Sequence, residues 1–278
     1  MEGTIFQINA QVSYFIKGKS SKLILLIGGL GDILFSIEYF KYLWNKFPDY
    51  MICIPNMRSS GNSFGSTVIW DEVEDIKLIL THIVNNNEIN EIYLIGHSTG
   101  CQDILCLFKK GINKEFPIKK CILQGPVSDR DYVNKDIKLI NEIKRIEKEY
   151  NILYKDWNFN EIKNSIDISK YLYDDKYPLF LRRFISLYSR LGDEDWFSFD
   201  LSSKELNELY SVINVPFLFV FSLHDQYVNY TDDEYKELID RIKNSNRNIN
   251  IYILNDDHYI EKSLGEFYEI VNDFIISK

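Results

Sequence analysis

Two spacings of apolar residues alternate along most of the chain. Short apolar runs, Leu23–Ile27, Ile92–Ile95 and Phe217–Phe221, have the length and composition of strands buried on both faces of a parallel sheet. Tyr50–Pro55, Lys119–Gln124 and Ile249–Leu254 read as further strands, and Gln11–Lys17 alternates as an edge strand should. Between them lie segments whose apolar residues recur every three to four positions. Phe35–Phe47 is one, stopped by Pro48; Val68–Asn85, with Val73, Ile76, Leu80 and Ile83 in phase, is another. Glu234–Lys243 and Gly265–Ser277 close the series, and a polar Gly/Ser loop occupies Arg58–Ser66. The pattern predicts an α/β fold with a mostly parallel central sheet flanked by helices. From about Asp131 to Tyr210 the alternation stops. Ile137–Tyr150 reads as a helix, and Trp157, Phe159, Tyr171, Tyr173, Phe180, Phe184, Trp196 and Phe197 crowd a charged stretch without a strand pattern. An insertion of that kind between two strands predicts a largely helical cap over about 131–210, within a single domain spanning 1–278.

The chemistry converges on Glu91–Asp103. Ile92–Ile95 runs straight into Gly96-His97-Ser98-Thr99-Gly100, and a helix-compatible apolar run (Ile104, Leu105, Leu107, Phe108) follows. Gly-x-Ser-x-Gly between a strand and a helix is the context in which a sharp turn lifts a serine hydroxyl to the sheet's C-terminal edge, in a strained backbone conformation. Gly96 and Gly100 fall where a Cβ would collide with a neighbouring strand or helix. The helix that starts at the serine turns its free N–H groups and positive dipole end toward developing negative charge.

A serine hydroxyl is a poor nucleophile until a base takes its proton, and the base needs an orienting carboxylate. Phe217–Phe221 leads into a loop carrying Asp225, and Ile251–Leu254 leads into one carrying His258, so acid and base follow the serine in the order this architecture requires. Of the four histidines, His82 lies within a helix, His97 packs or hydrogen-bonds inside the elbow, and His224 precedes the acid; only His258 has the strand-end position. The oxyanion hole needs two backbone donors: the Thr99 N–H, after the nucleophile, and the Leu30 N–H in Gly28-Gly29-Leu30-Gly31. Two other readings are weighed. Gly29-x-Gly31 resembles the start of a dinucleotide fingerprint, but Leu34 stands where a third Gly or Ala is wanted. His224, Asp225, Asp256, Asp257 and His258 offer metal-type donors, without an H-x-x-x-H pair. No metal and no organic cofactor is expected.

Composition narrows the field. The 278 residues carry 32 Lys plus Arg against 41 Asp plus Glu, a formal charge of −9, with lysines interleaved among acids; this is not the footprint of a nucleic-acid binder. Cys53, Cys101, Cys106 and Cys121 lack metal spacing and are expected to be reduced, partly buried thiols. Apolar runs such as Leu23–Ile27 are far too short to span a bilayer, and no basic region followed by an apolar core opens the chain, so a cytoplasmic location is expected. No residue pattern fixes an oligomeric state.

With these residues placed, the chain resembles the α/β-hydrolase superfamily, and within it a eukaryotic family to which fungal siderophore esterases belong. The resemblance is carried by Ile27–Asp32, Ile95–Asp103, Ile122–Arg130, Arg183–Ser189 with Gly192–Ser198, and the Asp225 and His258 loops. It implies the α/β-hydrolase fold, a Ser98–His258–Asp225 triad and ester or amide hydrolysis, but not the siderophore substrate, because the cap varies within such families. The expected function is a serine hydrolase, in the first place a carboxylic-ester hydrolase, acting on a small-molecule ester. The aromatic cap suggests a medium-sized, at least partly apolar acyl or alcohol group. The competing reading is a non-catalytic small-molecule binding protein on the same scaffold.

Overall fold

The computed structural model describes residues 1–133, 136–149 and 179–277. Strands β1 (Thr4–Gln7), β2 (Ser13–Lys17), β3 (Lys22–Ile27), β4 (Met51–Asn56), β5 (Glu91–His97), β6 (Ile118–Gln124), β7 (Phe217–Ser222) and β8 (Ile249–Leu254) form one sheet in the order β1-β2-β4-β3-β5-β6-β7-β8. β2 runs antiparallel to both β1 and β4, and the pairs from β4 to β8 are parallel. This is the sheet expected of an α/β-hydrolase. The continuous apolar runs occupy its middle, in a register that aligns Leu25 with Leu94, Leu94 with Cys121, and Cys121 with Phe217.

The helices are α1 (Glu38–Trp44), α2 (Ile69–Asn86), α3 (Thr99–Lys109), α4 (Asp129–Tyr132), α5 (Ile137–Glu149), α6 (Leu181–Tyr188), α7 (Ser203–Tyr210), α8 (Asp232–Ser245) and α9 (Leu264–Ile276). Alternation along the strands sorts them into two layers. Leu23, Leu25 and Ile27 join α2, α3, α7 and α8 in one core, whereas Ile24, Leu26 and Ile95 join α1 and α9 in the other. Ile69, Val73, Ile76, Ile79, Leu80 and Ile83 form the buried stripe of α2. None of the described helices is long and apolar enough to cross a membrane. The four cysteines are free and fully buried, deeper than expected.

Several boundaries differ from the sequence-based expectation for identifiable reasons. Gln11–Lys17 is not an edge: β1 pairs with it and takes the outer position. All four residues of β1 are exposed, so no buried face marked it. α1 is shorter than Phe35–Phe47, because Asp32 and Ser36 hold the preceding residues in turns, Ser36 Oγ donating to Asp32 Oδ1 at 2.7 Å. α8 starts ahead of Glu234 because Thr231 and Glu234 form a reciprocal capping box. The Arg58–Ser66 loop contains a 3-10 turn, Gly61–Ser66.

The segment between β6 and β7 contributes α4 to α7 among the described residues, and its flanking strands pair directly. The helix expected over Ile137–Tyr150 is described as Ile137–Glu149; Trp157, Phe159, Tyr171 and Tyr173 lie outside the described residues. Phe184, Trp196 and Phe197 are each only 1% exposed. Trp196 and Phe197 pack into the core with Phe217 and Phe219, so these aromatics support the sheet.

α6 is anchored by charge. Arg183, fully buried, meets Glu72 of α2 at 3.2 Å and Glu194 at 3.0 Å. Burial pushes the Glu194 carboxyl up to about 8 and that of Asp103, on α3, well above the carboxylate range, with Arg183 opposing both shifts. The cluster therefore retains protons near neutrality, and one guanidinium faces fewer than three full charges. Replacing Arg183 by Met leaves buried carboxyls without a cation, at a cost of about 3–5 kcal/mol. The folded state then holds protons that the unfolded chain releases, so stability falls as pH rises. We expect the urea-unfolding deficit of Arg183→Met to widen from pH 5 to pH 8; a deficit constant across that range would refute this assignment.

Candidate active site

β5 ends at His97 and α3 begins at Thr99, so the chain reverses through Ser98 alone. Ser98 has φ 52° and ψ −120°, a conformation a non-glycine residue holds only when its surroundings impose it. The surroundings are tight: a Cβ on Gly96 would lie 2.4 Å from the Gly100 carbonyl oxygen, and one on Gly100 2.5 Å from that of Ile27. The Ser98 N–H donates to the Gln124 carbonyl at 3.0 Å, fixing the turn to β6. Thr99 opens α3, where the first N–H groups have no intrahelical acceptor.

Asp225 and His258 lie in the loops that follow β7 and β8. Backbone bonds lash these loops together, from Leu223 N to Leu254 O at 2.9 Å and from His224 N to Asp256 O at 3.0 Å. His258 Nδ1 and Asp225 Oδ2 stand 2.6 Å apart, with both side chains 1% exposed. A carboxylate only accepts, so Nδ1 carries the hydrogen and Nε2 keeps its lone pair for a proton. Asp225 Oδ1 also accepts the Tyr227 N–H at 2.9 Å, and Gln226 Oε1 accepts that of His258 at 3.2 Å. Asp256 accepts the N–H groups of Asp257, Lys262 and Ser263, which commits it to shaping its loop.

Ser98, Thr99, Leu30 and His258 line one cavity of about 280 Å³. Gly29, Asp32, Val127, Asp129 and four tyrosines complete much of its wall. A larger hollow of about 750 Å³ lies at the β1–β2 edge, away from the serine. His82 stands there, bonded to the Tyr14 hydroxyl at 2.8 Å. His224 is exposed and meets Asn255 Oδ1 at 3.0 Å.

The structure adds residues that sequence reasoning did not single out. Gln124, at the end of β6, donates from Nε2 to the His258 carbonyl at 2.9 Å and accepts at Oε1 from His97 Nδ1 at 2.6 Å. His97 lies fully buried with its ring 4.8 Å from that of His258. Burial first, and then His258, lower its pKa to about 3, against the pull of Gln124, so it stays neutral where a second cation would oppose a protonated His258. Gly125 follows with φ 62°; a Cβ there would stand 2.9 Å from His258 Cε1 and 3.0 Å from Nδ1. Gly125-Pro126 follows the strand expected over Lys119–Gln124, but no local pattern says which imidazole the glycine faces. Asp129 and Tyr227 also enter the cavity, brought in by turns whose direction has no sequence periodicity.

Gly125→Ala should therefore push the imidazole away from Ser98. Displacements near an ångström cost about a hundredfold in reaction rate, whereas the backbone strain costs about 1–2 kcal/mol. The expected result is labelling of Ser98 by a fluorophosphonate slowed by at least an order of magnitude in a protein that still unfolds cooperatively. An unchanged labelling rate would show that the ring tolerates the methyl group.

Comparison with known proteins agrees with this architecture. The chain is similar to the siderophore hydrolase EstB from Aspergillus fumigatus, with a TM-score of 0.71 and 21% identity over 99% of this chain and 97% of that one. It is 25% identical to a UPF0613 protein of Schizosaccharomyces pombe over 262 residues, covering 85% of this chain and 81% of that protein. It is also 25% identical to an esterase of Emericella nidulans over 243 residues, covering 71% of this chain and 65% of that esterase, just under two thirds of its length. The fold is that of the α/β-hydrolases. The family described as "Protein of unknown function (DUF1749)" matches residues 4–263, and the chain belongs to that family.

Proposed function

We propose that this chain is a serine hydrolase of carboxylic esters, working through Ser98, His258 and Asp225. The observation that carries the reading is the 2.6 Å bond from Asp225 to buried His258, whose ring lines the same cavity as a strained Ser98. Asp225 holds the imidazole in the tautomer whose Nε2 takes the Ser98 proton. Ser98 Oγ then attacks the ester carbonyl, and the Thr99 and Leu30 N–H groups receive the oxyanion, an interaction for which losing one donor costs roughly 2.7–4 kcal/mol of barrier. His258 returns the proton to the departing alcohol, leaving an acyl-enzyme. A water deprotonated by His258 attacks that acyl group, and collapse releases the acid and restores Ser98. The esterase and siderophore-hydrolase relatives support this class of reaction.

In the same reading, residues 1–278 are a single domain and about 131–210 its cap. Four buried free thiols fit a reducing compartment such as the cytoplasm. A protein that only bound a small molecule here would gain nothing from the Ser98 backbone strain, which costs about 1–3 kcal/mol.

Wild-type protein should react with a fluorophosphonate at Ser98 and cleave p-nitrophenyl esters, with activity falling off at one chain length as the 280 Å³ cavity fills. Ser98→Ala should abolish turnover, and Asp225→Asn should lower it by about four orders of magnitude by holding the wrong tautomer. Absence of Ser98 labelling in folded wild-type protein would end the catalytic reading.

A further inference from the structure

The cavity wall has a chemistry that a general esterase does not require. Its only described aliphatic side chains are Leu30 and Val127, while Asp32, Asp129, Tyr132, Tyr188, Tyr227 and Tyr259 contribute carboxyl groups and phenol rings. Neither lysine nor arginine is among its described lining residues. The rings are gathered around one opening: those of Tyr132 and Tyr227 are 5.3 Å apart, and the Tyr227 and Tyr259 hydroxyls are 3.0 Å apart.

We propose that this cavity selects a cation, so that the substrate is a small ester bearing an ammonium or quaternary ammonium group in its acyl or alcohol part. The inference rests on the hydrolase reading for the reaction, and on the cavity wall for the class of substrate. Phenol faces attract an ammonium group through their quadrupole, most strongly once water has been displaced. The carboxylates act in the same sense. Asp32 and Asp129 stand on the same wall as the rings, and among the described lining residues no lysine or arginine answers them. A substrate cation supplies a partner for both carboxylates.

Asp32 is fixed for this role, accepting the Gly29 N–H at 2.7 Å and the Ser36 hydroxyl at 2.7 Å. Asp129 is held by Gln102 of α3, whose Nε2 donates to Oδ2 at 3.3 Å. Burial raises the Asp129 carboxyl to about 6; Arg183 from α6 and His258 from the β8 loop pull it down, and Asp195 pushes it up. The second carboxylate is therefore present above about pH 6 and lost below it, and cation preference should follow.

The test compares a choline ester with the 3,3-dimethylbutyl ester of the same acid, its uncharged carbon isostere. The two esters pass through the same chemical steps, so pH effects common to both cancel in the ratio of their kcat/KM values. We expect wild-type protein to favour the choline ester by about tenfold or more at pH 8, with the ratio falling toward pH 5. Asp129→Asn should bring it to within about twofold and remove its pH dependence. Should that variant not fold, calorimetry on Ser98→Ala measures the same preference without turnover: the choline ester should bind about tenfold more tightly than the isostere. Equal turnover of the two esters at pH 8 overturns the proposal and leaves the hydrolase reading intact. Selective binding with no turnover by wild-type protein retires the hydrolase reading and keeps the cation site. Equal or undetectable binding of both esters to Ser98→Ala overturns the proposal.

Discussion

Between Gly96 and Gly100 the backbone must leave the sheet, present one hydroxyl and begin a helix within three residues. It does so by holding Ser98 at φ 52°, and everything around the turn is spaced to permit this. The carbonyls of Ile27 and Gly100 approach so closely that neither glycine has room for a side chain. The strain is confined by the heavily hydrogen-bonded centre of the sheet, where β5 pairs with β3 and β6 along nearly its whole length. A strained residue persists only where the rest of the structure over-determines it. Here the over-determination is the run of β-branched and leucine side chains that makes β3 and β5 central strands.

The end of β6 is the second organising point. The main chain of Gln124 holds the nucleophile turn, while its side chain holds His97 and the backbone of His258. One residue thus reaches both the Ser98 turn and the His258 loop, although they are far apart in sequence. Gly125 then leaves the space that the imidazole fills. His97, neutral and packed against His258, closes the back of the site with an apolar face and a single satisfied donor. Positioning within tenths of an ångström comes from such surrounding residues as much as from the reacting ones.

How legible each feature was in the sequence follows from the range of the interaction that creates it. The parallel strands were legible because burial on both faces leaves an unbroken apolar run, and α2 because a one-sided stripe leaves a helical period. β1 was not: Thr4, Ile5, Phe6 and Gln7 are all exposed, and strand pairing at a sheet edge needs no buried face. The turn at Ser98 and the loops of Asp225 and His258 were legible because they sit at ends of buried strands, where topology brings distant residues to one rim. Gln124 was hidden for the opposite reason. Its side-chain bonds run to residues 27 and 134 positions away, and no local pattern encodes them. The direction of the aromatic residues between β6 and β7 was hidden for a related reason. Composition reports that rings are present, but only packing decides that Trp196 faces Phe219's core and Tyr188 the cavity.

The distribution of negative charge around the nucleophile ties the fold to the chemistry. Asp103 lies on α3, the helix whose N-terminus adjoins Ser98, and an ionised carboxylate there would oppose the helix dipole. Burial, reinforced by Glu72 and Glu194 and opposed by Arg183, pushes that carboxyl well above its usual range, which weakens the opposition. Asp32 and Asp129, by contrast, meet the cavity where solvent or substrate can answer them. The carboxyl behind α3 is thus answered within the protein, whereas those in front open onto the cavity.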